Sequence, residues 1–140
     1  MWAIYSLLSA FFAAITSLLL KLGLKNTNSI IVLALNSLVI FLITWSTIFI
    51  LGRQSQLTSI DRKSFLFVIF GGMSTGLSWL FYYRALQMGD LAKVISVDKT
   101  SLVIGILLAF LFLREAITLK TLIGSSLIML GTLVLVFRST

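Results

Sequence analysis

Residues 29–51 of the chain read SIIVLALNSLVIFLITWSTIFIL, a stretch in which no side chain carries a charge. A helix rises about 1.5 Å per residue, so about 20 apolar residues cross the hydrocarbon core of a bilayer. Residues 1–20 and 64–83 are equally free of charged side chains. These three stretches predict transmembrane helices, and they favour a membrane protein over a soluble one.

Two further apolar stretches follow, at 91–113 and at 121–137. The residues between the stretches suit helix ends. Asn26, Asn28 or Ser29 can cap the second helix, and Asp61, Asp90 and Thr118 can cap the third, fourth and fifth by accepting a hydrogen bond from the first turn. The sequence therefore predicts one all-α domain over residues 1–140 with five transmembrane helices, at about 2–24, 29–51, 62–88, 91–113 and 118–138.

The composition excludes most kinds of catalytic site. Among the 140 residues 59% are hydrophobic and 11% are charged, and the chain has no histidine, cysteine or proline. Zinc sites, thiol nucleophiles and histidine bases are therefore impossible, and of the four acidic residues only Asp98 falls within a predicted span. We expect no catalytic residue, no metal and no cofactor, and hence no enzyme.

The net charge of +7 does not predict a nucleic-acid partner, because the basic residues are scattered among apolar runs rather than gathered in a stripe. The expected surrounding is the lipid bilayer. Five spans place the two ends of the chain on opposite sides of the membrane, which we call side A (the N-terminal side) and side B. Five basic residues then flank the spans on each side: Arg53, Arg62, Lys63, Arg114 and Lys120 on side A, and Lys21, Lys25, Arg84, Lys93 and Arg138 on side B.

Membrane proteins orient by an excess of Lys and Arg on the cytoplasmic side, and an equal count gives no preference. One hypothesis is that the chain inserts both ways and forms antiparallel homodimers, a non-covalent version of an inverted repeat. The alternative is a single orientation set by insertion kinetics or by a partner chain.

Asp98 and Lys99 are charged residues inside a predicted span. Asp98 follows Asp90 by eight residues, about 12 Å along a helix, and a charge near the centre of a transmembrane helix costs about 2.5–3.5 kcal/mol. The two residues predict either a substrate or coupling-ion site or a buried ion pair that fixes the fourth helix. Candidate ion-pair partners of Asp98 are Lys21, Arg84 and Lys93.

Other polar and aromatic residues share faces of the predicted helices. Trp79 and Tyr83 follow Gly72 and Gly76 at helical spacing, which predicts either an aromatic wall for an organic substrate or an interfacial aromatic belt. The residues that we expect to line a substrate path, called the path residues below, are Asn36, Thr75, Trp79, Tyr83, Asp98 and Lys99. Gly124, Ser125, Gly131 and Thr132 predict tight helix packing or a dimer seam in the last helix.

The second half of the chain, residues 70–136, resembles the EamA-type domain of the drug/metabolite transporter superfamily. The resemblance rests on four segments: W-x₃-Y-x-A-L at 79–86, the Gly89-Asp90 turn, L-x-E-x-x-T at 113–118, and I-G-x-x-L-I-x-x-G at 123–131. Larger members look like two inverted five-helix halves in one chain, so the resemblance implies that this chain is one half and works as a dimer.

Gly124 and Gly131 also resemble the last-helix dimer motif of the small multidrug resistance branch. That branch has an essential glutamate in its first helix, where this chain has Ala13. The resemblance implies a secondary-type transporter that moves a small organic metabolite or drug by alternating access, as an antiparallel homodimer in a bacterial or archaeal cytoplasmic membrane. The alternative function is a non-transporting subunit or lipid-handling partner of another membrane protein.

Overall fold

A computed structural model of the chain describes residues 1–137. Within this range the chain is helical and without strands, and five stretches are long and apolar enough to cross a membrane. This confirms the predicted fold class. The α-helices are α1 (Trp2–Gly23), α2 (Ser29–Ile50), α3 (Arg62–Met88), α4 (Leu91–Asp98), α5 (Thr100–Leu108) and α6 (Leu119–Phe137). A short 3₁₀ helix covers Gln54–Ser59, and the predicted helix end at residue 138, with Arg138, lies outside the described residues.

Three of the predicted N-caps form. The Asn28 side chain accepts from the Ile30 N–H at 2.9 Å, Asp61 accepts from the Ser64 N–H at 3.1 Å, and the Thr118 hydroxyl accepts from the Thr121 N–H at 3.2 Å. Each bond satisfies a backbone donor that the first turn of a helix leaves free. These local bonds set the starts of α2, α3 and α6.

The expectation for Asp90 is wrong in one respect. Asp90 occupies the N-cap position of α4, but its side chain makes no capping hydrogen bond. Its carboxylate pairs instead with Lys93 Nζ at 3.1 Å, three residues along the same helix. An ammonium one turn away competes with the backbone N–H groups for the carboxylate, because opposite charges at this spacing are neighbours on a helix surface.

Hydrogen bonds around Asp61 also set its acidity. The Ser64 side chain and then the Ser64 backbone N–H hold the pKa of Asp61 below its ordinary value of 3.8. Ionised Asp61 therefore stabilises the folded chain at pH values above 3.8, its ordinary pKa. This contribution to the free energy of unfolding disappears as the pH falls through the lowered pKa of the folded chain.

We expect Asp61→Asn to keep the cap, since asparagine caps as well as aspartate, but to lose this acid-dependent component. The measurement is the free energy of unfolding in detergent from pH 7 down to about 3. Parallel pH curves for the two proteins would contradict the assignment.

Gly52 ends α2 in a left-handed conformation, with φ of +62°. Its N–H donates to the Phe49 carbonyl at 3.1 Å, and the Arg53 N–H donates to the Ile48 carbonyl at 3.1 Å. This pair of bonds is a Schellman motif, which satisfies the free carbonyls of the last turn and favours glycine at the left-handed position.

We expect Gly52→Ala to lower the free energy of unfolding by about 1–2 kcal/mol, because an alanine is strained at this φ. Gly23→Ala is the matched control: Gly23 ends α1 without a positive φ, and an added Cβ meets no atom within 4 Å. Equal effects of the two substitutions on detergent unfolding would show that the left-handed conformation is not the cause.

The fourth span, Leu91–Leu113, is not the continuous helix that the sequence predicts. It breaks between Asp98 and Thr100, and it ends in a π-helical turn over Ala109–Leu113. The Thr100 hydroxyl donates to the Val97 carbonyl at 2.8 Å, and the Thr132 hydroxyl of α6 donates to the Ser96 carbonyl at 3.0 Å. Hydroxyl groups that engage helix carbonyls in this way bend or interrupt helices.

The chain divides into two compact units. One holds residues 19–87, and its buried apolar side chains lie towards the side-B ends of α1, α2 and α3: Leu20, Leu24, Leu33, Tyr83 and Leu86. The other contains residues 1–18 and the chain from Met88 onwards, and in it α6 packs against α4 and α5. Thr132 is buried in this second unit, where its bond to Ser96 joins α6 to α4.

The spans themselves bury little surface. Their most apolar windows have mean hydropathies of 1.6 to 2.2, and between 0% and 11% of each window is buried within the chain. Apolar side chains directed outward are stable in a bilayer, because lipid tails are as apolar as leucine. The hydropathy and the low burial both suit helices surrounded by lipid or by other transmembrane helices.

Candidate substrate path and packing faces

A hydrogen bond between two path residues joins α2 to α3. The Asn36 side-chain amide donates to the Tyr83 hydroxyl, with 2.5 Å between Nδ2 and Oη. Asn36 lies seven residues after the start of α2, about 10 Å along the helix, so the bond is inside the apolar layer. Tyr83 is only 2% exposed. The bond satisfies groups that have no water to bind at this depth.

Trp79 and Thr75 continue the α3 face from Tyr83 towards side A. Trp79 is half-buried, one turn before Tyr83, and Thr75 is exposed a further turn away. The Thr75 hydroxyl donates to the Gly71 carbonyl of its own helix at 2.9 Å. Added Cβ atoms at Gly72 and Gly76 would meet nothing within 4 Å, so this part of the α3 face is open.

Lys21 has a role that the sequence analysis missed. Its ammonium donates to the Leu86 carbonyl at 2.6 Å, in the last turn of α3. The Leu86 side chain is fully buried. A cation at a helix C-terminus interacts favourably with the free carbonyls and with the helix dipole. The available signal was that α3 has no basic residue in its own last turn, whereas α1 ends with one at the same side of the membrane.

Further bonds fasten the same ends of α1, α2 and α3. The Gln87 side-chain amide donates to the Thr27 carbonyl, in the loop between α1 and α2, at 3.0 Å. Arg84 in turn donates to Gln87 Oε1 at 2.9 Å. With the Lys21 and Asn36 bonds, these contacts hold the side-B ends of the three helices together.

We expect Lys21→Met to lower the free energy of unfolding by about 1.5–3 kcal/mol, because it removes a charged donor from the Leu86 carbonyl and keeps an apolar stem. Lys25→Met is the matched control: Lys25 is an exposed lysine in the next loop, and we expect a change within about 0.5 kcal/mol. Equal losses in detergent unfolding would assign the effect to net charge rather than to the cap.

Asp98 and Lys99 lie at the break between α4 and α5, and both are exposed. Of the predicted partners of Asp98, Lys93 pairs with Asp90, and Lys21 and Arg84 make the bonds described above. Within residues 88–137 no ion pair to Asp98 is present. The roles predicted for Asp98 and Lys99 stay predictions.

The four packing residues of α6 differ in exposure: two are buried or half-buried, and two are exposed. Thr132 is buried against α4, and Ser125 is half-buried with its hydroxyl on the Leu122 carbonyl at 3.1 Å. Gly124 and Gly131 are exposed, and a Cβ added at either would meet nothing within 4 Å. The glycines therefore leave a smooth, open face on α6 that nothing in the described part of the chain covers.

The described residues contain no cluster of three or more acidic, histidine or cysteine side chains able to hold a metal ion. The buried polar groups of this region are amide, hydroxyl and ammonium groups that bond one another or backbone carbonyls. Such groups suit recognition of a solute or fastening of helices.

Comparisons with known proteins agree with this arrangement. The model of the EamA-like transporter family matches residues 1–137. The chain is 35% identical over 134 residues to a protein of Sinorhizobium sp. named "Uncharacterized transporter in cobO 3'region", and the alignment covers 96% of this chain and 95% of that relative. No solved structure matches the chain. Five membrane-spanning stretches, a family match over the described length and a transporter-named relative show that this multi-pass membrane protein belongs to the EamA-like transporter family.

Proposed function

We propose that the protein is a secondary-type transporter that moves a small organic solute by alternating access, as an antiparallel homodimer in a bacterial cytoplasmic membrane. The observation that carries the proposal is the low burial of the spans, at most 11% of any apolar window. A polar path through a bilayer must be enclosed by protein, because its backbone and side chains need partners that lipid does not offer. A second copy supplies the missing walls.

The relative supports assembly from separate five-helix chains. The alignment leaves 5% of that relative unmatched, which is too short for another five spans. A bacterial protein of this length that is named a transporter supports a transporter formed by association of separate five-helix chains.

The charge distribution supports opposite insertion of the two copies. Five basic residues flank the spans on each side, so neither orientation is favoured by the charges of the short loops. Two copies inserted in opposite directions reproduce the inverted repeats from which many transporters are built, with the substrate site near the midplane between them.

In this proposal the path residues meet the solute from several spans. Trp79 and Tyr83 supply aromatic surface, Asn36 and Thr75 supply hydrogen-bonding groups, and Asp98 and Lys99 supply charge. The bonds at the side-B ends of α1, α2 and α3 hold these helix ends together. Alternation requires the Asn36–Tyr83 bond to open and re-form during each cycle.

Single cysteines test the dimer and its orientation. The chain has no cysteine, so Ser55→Cys, on the side-A loop, and Asn26→Cys, on the side-B loop, introduce unique thiols. We expect an impermeant maleimide to label each cysteine partly from either side of sealed membranes. We also expect a thiol crosslinker to join Ser55→Cys in one copy to Asn26→Cys in another.

The cysteine-free chain is the background control for both reactions. Labelling of each cysteine from one side alone, together with the absence of Ser55–Asn26 crosslinks, would contradict the antiparallel arrangement. A foreign chain recovered in equal amount with the purified protein would instead support the alternative of a subunit within another assembly.

A further inference from the structure

The charged residues at the break of the fourth span lie near its middle. The midpoint of Leu91–Leu113 is Leu102, and Asp98 and Lys99 precede it by four and three residues, or about 6 and 4.5 Å. Both are exposed on the surface of the chain. A charge exposed to lipid at this depth is costly, and such residues almost always face protein or water.

The two charges cannot satisfy each other well within one chain. Neighbouring residues on a helix point about 100° apart, so they do not face each other. The fourth span contains one other cation, Lys93, and it pairs with Asp90 at the end of the span. The fourth span therefore presents one carboxylate and one ammonium side by side, both exposed, and within residues 88–137 neither forms an ion pair.

We infer that Asp98 of each copy pairs with Lys99 of the other copy across the homodimer interface, so that each charged site is completed only by a second copy. The inference rests on the homodimer of the proposed function. A two-fold interface is self-complementary: when residue 98 of one copy meets residue 99 of the other, the reverse contact forms as well. Two adjacent residues of opposite charge can therefore pair with the same two residues of a second chain.

The position near mid-span makes this pairing compatible with opposite insertion. A rotation about an axis in the membrane plane moves a residue to the same distance on the other side of the midplane, so groups near the midplane stay close to each other. Asp98 of one copy and Lys99 of the other are then offset by about 10.5 Å along the membrane normal, and the flexible four-carbon stem of lysine, extended towards the midplane, spans much of that offset. Two reciprocal pairs replace four charges that lipid would otherwise face.

Charge exchange between copies tests the pairing. Asp98→Lys gives a chain with two positive residues at the site, and Lys99→Asp gives one with two negative residues. Each variant should lose self-association by roughly a hundredfold or more, because like charges meet and the desolvated groups have no counter-charge. Co-expressed, the two variants should associate with each other, since every cross-chain contact then joins a cation to an anion. The readout is copurification of differently tagged copies from native membranes.

The exchange of Asp90 and Lys93 provides a matched control. These residues pair within one chain at 3.1 Å, so Asp90→Lys and Lys93→Asp should self-associate as the original chain does, and co-expression should add nothing. Asp98→Asn and Lys99→Gln, which add no like charge, should each weaken self-association less than the corresponding charge reversal.

The outcomes separate the two proposals. If differently tagged copies of the original chain do not copurify, the homodimer of the proposed function is wrong, and the ion pairing falls with it. If they copurify but Asp98→Lys and Lys99→Asp associate no better together than alone, the homodimer stands and the reciprocal pairing is overturned. Mutual rescue, confined to positions 98 and 99, supports the pairing because an intrachain role would not be restored by a second chain.

Discussion

Replacing Gly124 and Gly131 of α6 by leucine is expected to abolish self-association while each copy still folds and inserts. A Cβ at either position meets nothing within 4 Å of the chain, so the larger side chain has room in a single copy. In membranes, where lipid competes equally for apolar surface, close approach of helices depends on small interface residues. Leucine at the two sites would separate the helix backbones of a dimer that used this face.

The measurement is copurification of two tagged copies, with α-helix content by circular dichroism as the check on folding. Ser126→Leu is the matched control, because Ser126 is a small exposed residue two positions from Gly124, about 200° around the same helix. We expect that variant to associate normally. Equal loss in both variants, or loss of helix content with the glycine substitutions, would contradict a dimer seam along this face.

Truncation of Tyr83 is expected to have the largest effect on the stability of one copy. The side chain is 2% exposed and lies among the buried residues of α1, α2 and α3. Tyr83→Ala should therefore lower the free energy of unfolding by about 3–5 kcal/mol, through loss of contacts and the cavity left behind. Tyr83→Phe removes only the hydroxyl that accepts from Asn36, and should cost far less.

A double-mutant cycle isolates the hydrogen bond from the packing. Asn36→Leu and Tyr83→Phe each remove one partner, and the cycle with the combined variant should show a coupling between about 0.6 kcal/mol, a typical value for a hydrogen bond between transmembrane helices, and about 1.7 kcal/mol, a high one. Unfolding in mixed detergent micelles gives the free energies. Tyr5→Phe is the control, because Tyr5 is 72% exposed on α1, and we expect it to leave the free energy of unfolding unchanged. Zero coupling would show that the 2.5 Å contact contributes nothing to stability.

The number and type of the helices could be predicted from the chain itself. Apolar runs of about 20 residues form helices in a bilayer, because a helix pairs its backbone groups within its own segment, whereas the strands of a closed barrel are shorter and alternate in polarity. The caps at Asn28, Asp61 and Thr118 were predictable for a similar reason: each joins a side chain to a backbone group two or three residues away. Such bonds depend on local sequence alone.

The break in the fourth span lay beyond this local reasoning. Its cause includes the hydroxyl of Thr132, which is 36 residues from the Ser96 carbonyl that it engages. The sequence around Asp98 and Lys99 reads as a helix interior with two charges. The Thr100 hydroxyl adds a local bond to the Val97 carbonyl, but the Thr132 bond forms only when α6 is packed against α4.

The same distinction applies to the path residues. The sequence placed Asn36 among the path residues and Tyr83 on a face with Trp79, but it did not pair Asn36 with Tyr83, since the two are 47 residues apart. Charge alone made Lys21 one of three candidate partners of Asp98, and it gave no sign of the bond from the Lys21 ammonium to the Leu86 carbonyl. A lysine ammonium binds a strong acceptor that lies near it, and which acceptors lie near it depends on how the helices pack.

The sequence by itself therefore determined that this protein is a membrane protein with five transmembrane helices and that the family is the EamA type, and it predicted which polar groups lie inside the membrane. These properties follow from apolar run length, local capping and short motifs. The tertiary structure decided which polar groups satisfy one another, where the fourth span breaks, and that Gly124, Gly131, Asp98 and Lys99 remain exposed. The physical reason is that hydrogen bonds between spans depend on which helices are neighbours, and packing alone brings residues distant in the chain within about 3 Å of each other.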